Sequence, residues 1–159
     1  MALRRLDLVL AAAVVAVLLL ALARCGARRE RLASGRASWT LTPGALNPQV
    51  TQRTIGATIC VRGWTKTVRP PQSYTDPLKL RQMRRYDRRG PPSAYQEDHL
   101  ISLELGGAPT DPRNLWPEPR RRAEDVDRIE NELNDDVCAG RLRLADAQRR
   151  LSQLKHSSG

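Results

Sequence analysis

Glu97-Asp98-His99 is the segment of this chain best equipped for chemistry. His99 is one of two histidines in 159 residues. It follows a carboxylate, precedes a Gly106-Gly107 turn, and lies a short loop away from Asn114-Leu115-Trp116-Pro117. An imidazole titrates nearest neutral pH and suits a general base. A carboxylate beside it is a ligand for a cation, and an amide can both donate and accept across a loop. An Asp-His pair, a Gly-Gly loop, an Asn and a helix are together the parts of a metal-assisted hydrolytic site. The alternative for Asp98-His99 is a structural hydrogen-bonded pair, which the accompanying loop, Asn and helix make the weaker reading.

These side chains need elements to position them. Tyr95 to Leu105 alternates loosely and breaks at Gly106-Gly107, and Asn114–Pro117 reads as a short return arm. Arg121 to Val137 is the clearest helix, with Val126, Ile129, Leu133 and Val137 on one face. A last helix carries Leu144, Ala147, Leu151 and Leu154 after the Gly140 break. Upstream, Asp76 to Tyr86 is expected to be helical, with Asp76 as N-cap and Pro77 at the first position. Thr54–Val61 reads as a strand or a short helix leading into one, and Trp64–Arg69 as a second strand ending at Pro70-Pro71. Trp64 and Trp116 are assigned to the core, and His156, near a polar C-terminus, is given no role. The expected fold is a small single α+β domain, a β-hairpin packed on a helix with flanking helices.

The residues of this arrangement resemble the HNH, or His-Me finger, nucleases. Asp98-His99, Gly106-Gly107 and Asn114-Leu115 carry the motif. A broader likeness to exported bacterial proteins with such a motif runs from Leu41 to about Leu151. It takes in Thr42-Pro43-Gly44, Cys60, Gly63-Trp64-Thr65, Arg69-Pro70 and Val137-Cys138. The resemblance implies a ββα-metal architecture and phosphodiester hydrolysis, with His99 as base, Asn114 as brace and Asp98 as metal ligand. The family often places a histidine on the helix, and residues 120–137 have none. The remaining ligand candidates are acidic, Glu124, Asp125, Asp127 and Glu130, of which Asp127 and Glu130 lie nearest the apolar stripe and, three apart, share a face. Both are equally readable as solvated helix charges. An all-oxygen set would suit Mg²⁺, Mn²⁺ or Ca²⁺ better than Zn²⁺.

The net charge of +10 permits a polyanionic partner such as nucleic acid. Only Lys66, Lys79 and Lys155 are lysines, so the charge is mostly arginine and is compatible with a coding bias. The clusters that hold Arg84, Arg85, Arg120 and Arg121 read first as a solvated face; on the nuclease reading they are the natural phosphate contacts. At the N-terminus, Arg4-Arg5 and the apolar run Leu8–Ala23 are the pattern of an export signal or membrane anchor over residues 1–23. Cys25 with Leu22-Ala23 leaves a lipoprotein site open. Residues 24–38 read as a linker and 39–155 as the domain. Any membrane contact is expected through the N-terminal segment alone. Export in turn favours a disulfide between Cys60 and Cys138. Two functions follow: an exported, metal-dependent endonuclease with little sequence preference, or a non-catalytic cell-envelope binding module on the same scaffold.

Overall fold

A computed structural model describes residue 10, residues 12–24 and residues 35–157. Contacts divide the chain into a unit up to Arg31 and a unit from Leu32 onward. In the first unit residues 12–24 are helical and exposed. No helix among the described residues is long and apolar enough to cross a membrane. Arg4, Arg5, Cys25 and most of the expected linker lie outside the described residues.

The second unit mixes helices with one two-stranded antiparallel hairpin, so the α+β class is observed. In chain order it holds α1 (Trp64–Val68), α2 (Gln72–Arg85), β1 (Tyr95–His99), β2 (Leu115–Pro119), α3 (Arg120–Cys138) and α4 (Leu144–Ser157). Single 3₁₀ turns occur at Ile55–Ala57, Pro92–Ala94 and Leu103–Leu105. β1 and β2 pair from Tyr95 opposite Pro119 to His99 opposite Leu115. Residues 35–38, at the end of the expected linker, pack with the domain: Ala37 is buried and its amide donates to the Lys155 carbonyl at 2.9 Å.

Val126, Leu133 and Val137 bury one face of α3 against Leu144, Ala147 and Leu151 of α4. Apolar burial along matching stripes is the main stabilising term for such a pair. A smaller cluster joins Ala37, Tyr86, Leu100 and fully buried Trp116. The Tyr86 hydroxyl is satisfied by the Thr42 hydroxyl at 2.7 Å and the Ser38 amide at 3.1 Å.

Three expectations need correction. Trp64–Val68 is a helix, not a strand, because Trp64 packs on the main core and the Arg69 amide closes a turn on the Thr65 carbonyl at 3.0 Å. Packing here overrides the β-branched threonines and valine. Thr54–Val61 likewise contains only a 3₁₀ turn. The helix expected from Asp76 begins at Gln72 with Pro71 as its cap, so Pro77 lies inside it and forgoes one helical hydrogen bond.

The disulfide forms as expected: Cys60 and Cys138 are bonded, with Cα atoms 5.5 Å apart. It ties the segment leading into α1 to the last residue of α3. Such a bond is compatible with an oxidising compartment.

Candidate active site

The side-chain amide of Asn114 ties together both ends of the loop between the hairpin strands. Asn114 is fully buried; its Oδ1 accepts from the Ile101 amide at 2.9 Å. Its Nδ2 donates to the carbonyls of Ile101 at 3.0 Å and Ala108 at 3.1 Å. The Gly-Gly pair makes room for this staple. Gly106 has φ +77°, the left-handed region glycine favours. A Cβ on Gly107 would lie 1.8 Å from the Ile101 carbonyl oxygen and 2.6 Å from the Asn114 Nδ2. No side chain fits there.

The stapled loop fixes His99. The Pro109 carbonyl lies 3.0 Å from His99 Nε2. A carbonyl can only accept, so Nε2 carries the proton of the neutral ring and Nδ1 keeps the lone pair. His99 is 5% exposed, and burial lowers its pKa from the ordinary histidine range, which keeps the ring neutral.

His99 and Asp98 line one cleft of about 340 Å³. β1 supplies Glu97, Asp98 and His99; α1 supplies Thr65, with Arg69 just after its end; Glu104 comes from the loop; and α3 supplies Asp127 and Glu130. Both oxygens of Glu97 are buried and without a hydrogen-bond partner. Burial accordingly pushes its carboxyl up to about 8, so Glu97 is largely protonated at neutral pH. Asp127 and Glu104 are also raised, by burial first and by neighbouring carboxylates second.

Asp98 and Glu130 converge, and they converge on an ammonium group. Lys155 Nζ, fully buried, lies 2.5 Å from Asp98 Oδ2, 2.6 Å from Glu130 Oε1 and 2.6 Å from the His99 carbonyl oxygen. Burial alone would raise Asp98, but the charge of Lys155 outweighs it and holds the carboxylate below its usual range. Glu118 of β2, buried behind Asp98, is pushed up to about 9 by burial and then by the Asp98 charge. Glu130 is pushed up by burial, an effect that Lys155 partly offsets. Lys155 itself is raised: burial opposes its charge, and the surrounding carboxyls more than compensate.

A divalent cation does not fit this arrangement. Asp98 and Glu130 already face the ammonium, and Asp127 stands apart as an exposed residue on the cleft wall. Among the described residues, no group of three His, Cys, Asp or Glu side chains is placed to hold a metal ion.

The expected phosphate contacts lie elsewhere. Arg84, Arg85, Arg120 and Arg121 are all exposed, and none lines the His99 cleft. Arg120 and Arg121 border a separate hollow at the start of α3. The cation on the open side of the His99 cleft is Arg69 instead.

Sequence reasoning passed over Lys155, Glu118, Arg69 and the carboxyl of Glu97. It also passed over His156, which is 6% exposed, stacks on Trp39 with centroids 3.6 Å apart, and has Nε2 3.1 Å from the Thr42 carbonyl. A signal for Lys155 and Glu130 was present. Each falls on the apolar row of its helix, four residues after Leu151 and Val126 respectively. Comparison with family models, with characterised proteins and with solved structures finds no match to this chain.

Proposed function

We propose that this chain is an exported phosphodiesterase of HNH type, acting on nucleic acid with little sequence preference. The observation that carries the reading is the His99 ring, anchored through Nε2 on a stapled loop with Nδ1 left as acceptor, in the cleft that the Glu97 carboxyl also lines. One strand thus presents a base whose pKa is depressed and an acid whose pKa is raised, the pairing that general acid–base hydrolysis requires. Glu97 and His99 are two apart on β1 and so share a face.

In the proposed reaction a water in the cleft loses a proton to His99 Nδ1 as its oxygen attacks phosphorus. The bond from phosphorus to the leaving oxygen breaks, and that oxygen takes the proton of the Glu97 carboxyl. Solvent then returns a proton to Glu97 and removes one from His99. Arg69 neutralises charge on the phosphate, and Asn114 and Pro109 hold the base in line. Export is supported by the Cys60–Cys138 bond and the basic, apolar N-terminus.

Labelled single- and double-stranded DNA and RNA incubated with the purified protein test this. Cleavage is expected on at least one, falling on the order of 10²–10⁴-fold in His99→Ala. Cleavage unchanged in that variant would remove the assigned base. A second reading, the non-catalytic binding module, draws on the Lys155 ion pair, which occupies the carboxylates a metal would need. It expects tight nucleic-acid binding with no cleavage of any substrate.

A further inference from the structure

Three oxygens of different origin surround one buried nitrogen: a carboxylate from β1, a carboxyl from α3 and the main-chain carbonyl of His99, all within 2.6 Å of Lys155 Nζ. Carboxylates with a backbone carbonyl are the donor set of a hard cation. Here the cation belongs to the chain. An ammonium has three protons and no acceptor, so three oxygens are the number it can serve. Lys155 comes from the C-terminal helix and reaches the strand that bears the candidate base, and its own carbonyl accepts from the Ala37 amide at 2.9 Å. One residue therefore joins α4, α3, β1 and the start of the domain.

We propose that Lys155 is the resident cation of the Asp98–Glu130–His99 carbonyl cage, so that the site assembles without a divalent metal. Nζ has no exposed surface, so it does not touch a substrate; it is a positioning residue that fixes the end of β1. Its removal would leave an oxygen cage open to an external cation. The inference stands on the cage geometry and is independent of whether the cleft hydrolyses nucleic acid.

The test titrates Mg²⁺, Mn²⁺ and Ca²⁺ into the full chain and into Lys155→Ala, reading heat of binding and thermal midpoint. The wild type is expected to show no saturable binding and no shift in midpoint. Lys155→Ala is expected to unfold at lower temperature in chelator and to regain midpoint with the logarithm of cation concentration. Adding Asp98→Asn to that variant should remove the response. Saturable binding to the wild type that Asp98→Asn abolishes would overturn the proposal, and that arm decides even if Lys155→Ala does not fold. A folded Lys155→Ala with no cation response would also overturn it. If the wild type cleaves nucleic acid, cleavage should survive chelator. If it cleaves nothing under any condition, the hydrolytic reading fails while the cation titration still decides this one.

Discussion

Replacing Asn114 with Ala should destabilise this domain more than any other neutral polar truncation at the site. Three main-chain groups lose their partner together: the Ile101 amide and the carbonyls of Ile101 and Ala108. Asn114 is fully buried, so bulk solvent does not reach them directly. Leaving a buried polar group unsatisfied costs about 1–3 kcal/mol. With a water entering part of the vacated volume, the loss is roughly 3–6 kcal/mol. A domain of this size is stable by on the order of 10 kcal/mol, so the variant folds with little in reserve. In urea, where slopes run about 1–3 kcal/mol per molar, the midpoint should fall by roughly 2 M with the slope unchanged. Asn114→Asp is the sharper control. It keeps the acceptor for the Ile101 amide but sets an anionic oxygen against two carbonyls. Its deficit relative to wild type should shrink as pH falls and the new carboxyl protonates and regains one donor. If Asn114→Ala stays within about 1 kcal/mol of wild type, the loop is not held by this amide and the placement of His99 needs another explanation.

Other consequences are testable. The Cys60–Cys138 bond closes a separation of 78 residues, for which chain entropy gives about 4.5 kcal/mol. Cys60→Ser with Cys138→Ser should lose about that much in denaturant unfolding, with faster amide exchange over residues 54–69; a loss under about 1 kcal/mol would contradict the estimate. Cleavage should follow a bell-shaped pH profile. The rate rises as His99 deprotonates, below its ordinary range because burial lowers it, and falls through about 8 as Glu97 loses its proton. Glu97→Gln should abolish the falling limb along with most of the rate; an unchanged limb would free Glu97 from the acid role. Gly107→Ala should prevent folding or cost more than about 3 kcal/mol, since its Cβ meets a fixed carbonyl. Gly56→Ala, with open space around it, is the neutral control by thermal melt.

The hairpin, the two long helices and the disulfide were legible because each rests on local pattern: alternation broken by Gly-Gly, stripes of Val and Leu, and two cysteines downstream of a basic, apolar N-terminus. Trp64–Val68 was not legible, because its alternating threonines favour a strand and only the packing of Trp64 and the tether at Cys60 make it a helix. In the candidate site Asp98, His99 and Asn114 could be singled out from spacing. Lys155 could not be reached the same way: it acts 56 residues from the His99 carbonyl it contacts, with β2 and α3 between them in the chain. The arginine clusters drew attention by density. Arg69, the cation that does line the cleft, sits alone before Pro70-Pro71.

The charged residue inside each apolar row offered a route to the missing partner. α3 runs Val126, Glu130, Leu133, Val137 along its buried face, and α4 runs Leu144, Ala147, Leu151, Lys155 along its own. A single buried charge costs several kcal/mol unless it is paired. Two helices that bury charges of opposite sign, with no other residue of either row ionisable, therefore have a strong reason to bring those positions together. Asp98 then follows as the second acid, because an ammonium has more than one proton to place and β1 ends beside the same helices. On this logic the acidic residues of the hairpin and helix are the lining of a cation cage that α4 fills. The two most exposed consequences, indifference of the wild type to divalent cations and their recovery in Lys155→Ala, follow from a charge pattern visible in the two helices once their buried faces are aligned.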